Sequence, residues 1–429
     1  MSSVLEINPL TRVEGHGRIS VHLSGKRVER VTLALTESPR LFEALLVGKG
    51  FEEVPEIICR ICSLCSTVHR VVSLLAIEKA FGIEVSEQVH LYRELILHGG
   101  HIQSHALHLF CLVLPDRYGA AGLPDLAAMA PKALQMGLRL KGAGNLIQET
   151  VGGRLIHPVT LIPGGMGKPV SREGLLKLKE TLESLLPEAW QTYELFRSFP
   201  QPSGSLGSPR FMAVRSGSSP HLFGKALMLG PTRSVPVEKY RQTLGERVVE
   251  YSNAKTSCAV EGPFTVGALA RLNLGLLLSP KAAEAFQECR NLIMKRDIRA
   301  NNLAQAVEVI HAMERSLEIV ETLLGADFAR ERPARVTPRS GEGSAAIEAP
   351  RGSLIHSYRF DGRGLCTAAD IVTPTAINQS TMERDLLLLA QQLEGASDRE
   401  MTSALEQLVR AYDPCISCAV HLVRHQPVG

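Results

Sequence analysis

Arg60-Ile61-Cys62-Ser63-Leu64-Cys65, with His69 four residues further on, has a counterpart at the other end of the chain. That counterpart is Asp413-Pro414-Cys415-Ile416-Ser417-Cys418, with His421 three residues after it. A C-x-x-C turn aims two thiolates at one centre, and two such turns make a four-sulfur site. The pairs stand 415 − 65 = 350 residues apart, so any fold that joins them must bring the two ends of the chain together. Spacing alone leaves three occupants open: a structural zinc ion, an iron–sulfur cluster or a redox metal. Structural zinc sites usually keep their ligand pairs within one short ribbon or finger.

The remaining composition narrows the class. A chain of 429 residues, 45% hydrophobic and 21% charged, can bury a sizeable core. Its 47 basic and 44 acidic residues leave a formal charge of +3, which gives no electrostatic case for a nucleic-acid partner or a membrane surface. The opening MSSVLEINPLTRVEGHGRI has no apolar core and no twin arginine, unlike an export signal. The most apolar long run, Leu95 to Leu114, is broken by His98, His101, His105 and His108 and makes a poor transmembrane segment. A cytoplasmic location is the expectation. Nine cysteines are too few for a disulfide scaffold at this length. The isolated Cys111, Cys258, Cys289 and Cys366 read as small buried hydrophobes.

Periodicity and turn residues sketch the elements. Residues 16–36 alternate as a hairpin around Ser24-Gly25-Lys26, and residues 353–373 do the same around Asp361-Gly362. Helices are expected at 38–47, at 86–114 with a Gly-Gly step inside, and at 171–199 opened by Ser171. Further helices are expected at about 236–253, 280–299, 301–324, 379–393 and 398–411. Residues 152–168 form a Gly/Pro-rich loop, 201–235 an irregular stretch with short strands, and 330–346 a polar surface loop. The fold class is an α-rich α+β domain spanning 1–429, a core of long helices with small β-hairpins. Gly164-Gly165-Met166-Gly167-Lys168 is not a phosphate loop, because Ile162 stands where its first glycine belongs and Pro169 follows the lysine. No G-x-G-x-x-G follows a strand, so no nucleotide site is expected in this chain.

Four strings, in order and spanning the chain, resemble the large subunit of nickel–iron hydrogenases. They are Arg12-Val13-Glu14-Gly15-His16, R-I-C-x-x-C-x-x-x-H at 60–69, Ala349-Pro350-Arg351-Gly352, and D-P-C-x-x-C-x-x-H at 413–421. The wording looks most like the cytoplasmic, bidirectional group that couples to pyridine nucleotides. The resemblance implies reversible cleavage of dihydrogen at a nickel–iron centre with carbon monoxide and cyanide on the iron. It implies a fold shared with the quinone-site subunit of respiratory complex I. Cys62 and Cys415 would be terminal nickel ligands, and Cys65 and Cys418 would bridge the two metals. Glu14 would accept the proton, Arg351 would lie over the open face of the metals and Asp413 would pair with it. His69 would hydrogen-bond a bridging sulfur and Thr375 would donate to a cyanide. Ser104 stands where some relatives carry an aspartate. Glu43 and His421 resemble ligands of a magnesium ion, with a backbone carbonyl close to Cys366–Ala368.

The implied partners are an iron–sulfur small subunit, flavin- and NAD(P)-binding diaphorase subunits, and a maturation endopeptidase that removes residues 422–429. The four histidines from His98 to His108 share one helical face. Packing near a partner's electron-transfer clusters is the expectation for them, ahead of metal ligation. Two alternatives stand beside the catalytic reading: a hydrogen sensor with the same centre, and an inert relative resembling the complex I subunit. The intact cysteines speak against the second of these.

Overall fold

The structure is a computed structural model that describes residues 2–200, 205–207, 209–259, 262–326 and 332–420. Seven helices carry the argument: α1 Ser66–Phe81, α2 Glu87–Leu107, α3 Pro131–Gly152, α4 Arg172–Ser198, α5 Asn301–Gly325, α6 Pro374–Gln392 and α7 Asp398–Ala411. Their ends follow local chemistry. Ser86, Ser171 and Ser397 each accept a backbone N–H from the first turn of α2, α4 and α7, and Ser397 forms a full capping box with Glu400.

Helix α2 packs on both α3 and α5, and α5 packs on α4. The α2–α3 crossing explains the Gly-Gly step. A Cβ on Gly99 would lie 2.7 Å from Ile147, and one on Gly144 would lie 2.6 Å from the Gly99 carbonyl and the Gln103 amide. Only glycine lets the two backbones approach so closely. The helix expected over 86–114 is α-helical to Leu107, then widens into a π-helical stretch, His108–Val113, before the short helix Leu114–Tyr118.

Two antiparallel sheets flank the helices. In the first, β1 (Ser2–Ile7) pairs with β2 (Gly17–Ser24), which pairs with β3 (Arg27–Leu35). The expected hairpin is thus present and gains a third strand. In the second, β4 (Gly341–Ala349), β5 (Gly352–Phe360) and β6 (Cys366–Val372) run in sequence. The hairpin of 353–373 is there, but the expected surface loop of 330–346 gives way at Gly341 to a buried strand. Gly341 and Gly343 of that strand lie against the carbonyls of Ala80 and Ala76 in α1. The strand's polar residues are paired: Ser344 donates to Ser357 (2.9 Å), and Glu348 accepts from Val214 N (2.7 Å) and Ser353 Oγ (2.6 Å).

The helix expected at 236–253 is also corrected. Val237–Gln242 makes a short 3-10 turn, and Leu244–Val248 then pairs antiparallel with Lys255–Ala259. Gly245 and the closing Ser252 and Asn253 disfavour a continuous helix here. The helix of 38–47 shrinks to Phe42–Leu46, that of 280–299 ends at Ile293, and α6 starts five residues earlier than expected, at Pro374. Helix α1 has almost no polar face to announce it, because nearly all its residues are buried. No helix among the described residues is long and apolar enough to cross a membrane. Cys111, Cys289 and Cys366 are buried and unpaired, while the Cys258 side chain lies outside the described ones.

Candidate metal centre

The chain ends meet where the two cysteine pairs require it. Cys62 follows a 3-10 turn, Cys59–Ile61, and Cys65 stands at the N-terminus of α1. Cys415 opens the short helix Ile416–Ala419. A parallel bridge joins Glu14 to Cys415, with the Ile416 amide donating to the Glu14 carbonyl at 3.1 Å. Gly15 makes that approach possible: its φ is +87°, and a Cβ there would sit 2.7 Å from Ile416 Cβ. Arg40 Nη2 clamps both cysteine turns, donating to the Ile61 carbonyl and, at 2.8 Å, to the Ser417 carbonyl.

The sulfurs of Cys62, Cys65, Cys415 and Cys418 are buried and all lie within 4.8 Å of one another. Cys415 is the hub, with its Sγ 3.6 Å from Cys62 and Cys65 and 2.8 Å from Cys418. Contacts from Cys415, Cys418 and Cys65 push the Cys62 thiol well below its ordinary pKa, while burial drives Cys415 and Cys418 well above theirs. Burying several sulfurs this close as thiolates requires a cation among them.

Charged groups converge on the same point. Arg351 is buried; its Nε donates to Asp413 Oδ1 at 3.0 Å and its Nη1 to Cys65 Sγ at 3.4 Å. Burial alone would lower its pKa, but Asp413 and the cysteine sulfurs outweigh it and raise it well above the ordinary value. Asp413 also accepts from Gln305 Nε2 at 3.0 Å. Its pKa is lowered: burial works against ionisation, and Arg351 and His108 overcome it. Arg351 Nη2 is buried with no partner among the described residues. A guanidinium N–H left bare beside four sulfurs suits a site that holds a group with acceptor atoms. The soft donor set and this bare N–H both fit a thiolate-bound redox metal.

Glu14 is half-buried beside the tetrad, and its Oε2 accepts the Ser417 amide at 3.0 Å. Burial first, and then the charge of Cys62, raise its pKa. Thr375 Oγ1 accepts the Cys415 amide at 2.8 Å. His69 is fully buried and lies 3.0 Å, Nδ1 to Nε2, from His356, which in turn lies 2.6 Å from the Tyr358 hydroxyl. Burial holds the His69 pKa at about 4 against the pull of Cys62. Ser104 Oγ is buried and unpaired.

Glu43 lies apart from the tetrad. Its carboxylate accepts from Lys255 Nζ at 3.0 and 3.1 Å and from the Ile371 amide at 2.9 Å, beside Glu246, whose pKa burial lifts to about 7. A cleft of about 470 Å³ lies over these groups, with Thr367 and Ala368 in its wall. His421 and the tail that follows it lie outside the described residues. The four histidines form no common ligand set: His98 lies 3.6 Å from Glu94, His101 donates to Leu97 O, His105 meets Glu308 and His108 meets Gln305 and Arg410 O. Among the described residues the cysteine tetrad is the one group placed to hold a metal.

The nickel-dependent hydrogenase family matches residues 40–117 and 226–421, and a HoxL-like family matches residues 4–37. The chain belongs to the nickel-dependent hydrogenase family. It is 39% identical to the alpha subunit of sulfhydrogenase 2 of Pyrococcus furiosus, over 98% of this chain and 100% of that one. It is 36% identical to the alpha subunit of sulfhydrogenase 1 of the same organism, over 98% of each. A vhu-type F420-non-reducing hydrogenase chain from Methanococcus voltae is 31% identical over 91% of this chain and 98% of that one. Among solved structures, an NAD+-reducing [NiFe]-hydrogenase in the H2-reduced state superposes with a TM-score of 0.89 at 25% identity, covering 98% and 99% of the two chains. The Ni-Fe-Se hydrogenase of Desulfovibrio vulgaris Hildenborough shares the fold at a TM-score of 0.76.

The chain is therefore a catalytic large subunit of a nickel–iron hydrogenase, an oxidoreductase, with a four-cysteine site for nickel and iron. Several residues of this hydrogenase's site carry no motif of their own. Arg40 and Gln305 reach it from segments remote in sequence, and Lys255 and Glu246 reach Glu43 in the same way; only the folded chain brings them there.

Proposed function

We propose that this subunit cleaves dihydrogen reversibly and heterolytically, and that Cys62, Cys65, Cys415 and Cys418 would together hold its nickel–iron centre. The observation that carries this reading is the buried sulfur tetrad with Arg351 on one side and Glu14 on the other. A nickel–iron centre with carbon monoxide and cyanide on the iron supplies a redox-active Lewis acid that polarises and splits dihydrogen. The chain's own groups do the rest. Arg351, held charged by Asp413, presents its bare Nη2 to the space over the sulfurs and offers a fixed positive charge and a donor there. Glu14, in hydrogen-bonding contact with Cys415, takes the proton from that sulfur and passes it outward. Thr375 holds the second cysteine turn through the Cys415 amide, and the His69 backbone amide meets the Cys65 carbonyl at 3.1 Å. Glu43, whose carboxylate meets Lys255 and the Ile371 amide, and His421, which lies outside the described residues, would hold a magnesium ion at the carboxyl end.

Among the described residues no second cysteine cluster exists to carry electrons away. They leave through an iron–sulfur small subunit, and from there through flavin-bearing subunits to NAD(P), in line with the NAD+-reducing structural neighbour. Metal-loaded chain alone should show no turnover with soluble acceptors, and adding the small subunit should restore it. Dihydrogen oxidation by the chain alone at the rate of the native complex contradicts this.

Maturation completes the reading. Ile416, Cys418 and Val420 are buried, so the final segment closes against the metal site, and removal of the tail beyond it would couple that closure to metal loading. An endopeptidase then cuts after His421. The intact mass of active enzyme should place His421 last, and active enzyme ending at Gly429 would show the cut to be unnecessary.

A further inference from the structure

Arg351 stands at an unusual place for a residue that must be held still. It is the second residue of a two-residue hairpin tip, Pro350-Arg351, between β4 and β5, where Ala349 pairs with Gly352. Two-residue hairpins favour primed turns with positive φ. Pro350 cannot adopt that conformation, and Arg351 is not among the residues with positive φ. The tip is therefore not a primed turn, and proline fixes φ only at its first residue, so contacts from outside can add restraint at Arg351.

Arg271, on the short helix Ala268–Asn273, supplies it. All five of its N–H donors are used. Nε and Nη2 grip Glu308 Oε1 and Oε2, both at 2.6 Å, and Nη1 meets Glu348 Oε2 at 2.7 Å. The two remaining N–H groups go to the carbonyls of Ala349 and Pro350, each at 3.0 Å. Successive carbonyls of an extended chain point to opposite sides. One guanidinium holding two in a row fixes the bend immediately before Arg351. The carboxylates in turn are anchored: Glu348 accepts from Val214 N and Ser353 Oγ, and Glu308 meets His105 Nε2 at 3.0 Å. Gly267, at the start of the same helix, closes on the other side of the tip. Its φ is +119°, and a Cβ there would lie 3.3 Å from the Arg351 carbonyl. Asn301 ties this helix to the segment that carries Asp413, accepting Leu269 N at 3.0 Å and donating to Ala411 O at 2.9 Å.

We infer that Arg271 is a positioning residue for the hydrogenase reaction: it holds the backbone of the 349–352 turn so that Asp413 has only to orient the Arg351 side chain. This rests on the role proposed above for Arg351. The guanidinium geometry is required, because lysine can keep the charge but cannot grip a carboxylate fork and two carbonyls at once.

The test uses the native complex with Arg271→Lys, Arg351→Lys and the two combined. Nickel content and melting temperature report folding, and amide hydrogen–deuterium exchange of the peptide spanning 349–356 reports the turn. Arg271→Lys should keep its nickel, exchange faster at that turn and lose turnover by about tenfold or more. In the Arg351→Lys background the same change should cost less than about twofold, because its route to the site is already gone. If Arg271→Lys does not retain nickel, Glu348→Gln, which loosens Arg271 while keeping the shape of its partner, is measured in the same cycle. Native turnover, an unchanged exchange rate at the turn, or the same fold-loss in both backgrounds overturns the inference. Native turnover of Arg351→Lys alone would instead remove the role given to Arg351.

Discussion

Glu14→Gln turns over dihydrogen at about one-hundredth of the native rate or less, with its nickel and iron in place. The expectation follows from what the substitution keeps and what it removes. The amide oxygen of glutamine can still accept the Ser417 amide, as Glu14 Oε2 does at 3.0 Å, so the bridge between the N-terminal arm and Cys415 survives. What goes is the group that can gain and lose a proton beside the sulfurs. Losing a positioned acid–base group costs roughly 10²- to 10⁴-fold. Burial and the charge of Cys62 raise the Glu14 pKa, which brings it nearer to working pH and makes it a better carrier than an exposed carboxylate. Steady-state turnover with matched metal analysis checks this. A variant running at half the native rate means that protons leave another way.

Cys415→Ala has the larger effect, because Cys415 touches every other member of the tetrad. Three sulfurs remain, and nickel should fall below about one-tenth per chain, taking turnover with it. The fold should survive. Cys415 is held through its backbone, by Thr375 and Glu14, and alanine preserves both contacts. Removing one buried sulfur costs only about 1–2 kcal/mol of packing. Circular dichroism and the melting temperature of metal-free protein should therefore stay near native. Full nickel in the variant would mean that the metal is held elsewhere.

The site was legible in the sequence wherever chemistry forces a residue type at a fixed spacing. Cys62, Cys65, Cys415 and Cys418 meet as two C-x-x-C turns demand; Glu14, Arg351 and Asp413 lie around them, but spacing does not single them out and only the resemblance named them. Helices with one apolar face were equally plain: Arg172–Ser198, Asn301–Gly325 and Asp398–Ala411 fall within a residue or so of where periodicity puts them. Two of the failures share a cause, which is burial without alternation. Ser66–Phe81 is covered on all sides and has no amphipathic signature. The start of Gly341–Ala349 falls in the stretch 330–346 that reads as a polar loop, because Ser344 finds its partner only in the fold. Arg271, Gln305 and Arg40 belong to no motif, and their importance comes from carbonyls and carboxylates that the sequence does not place beside them.

The account stands on what the four sulfurs hold. Mature complex purified from its native host should contain about one nickel and one iron per chain at this site, beyond the iron of any partner subunit. Its infrared spectrum should show carbon monoxide and cyanide stretches that shift when dihydrogen is admitted. Stoichiometric zinc with no nickel, and no such bands, would contradict the central claim.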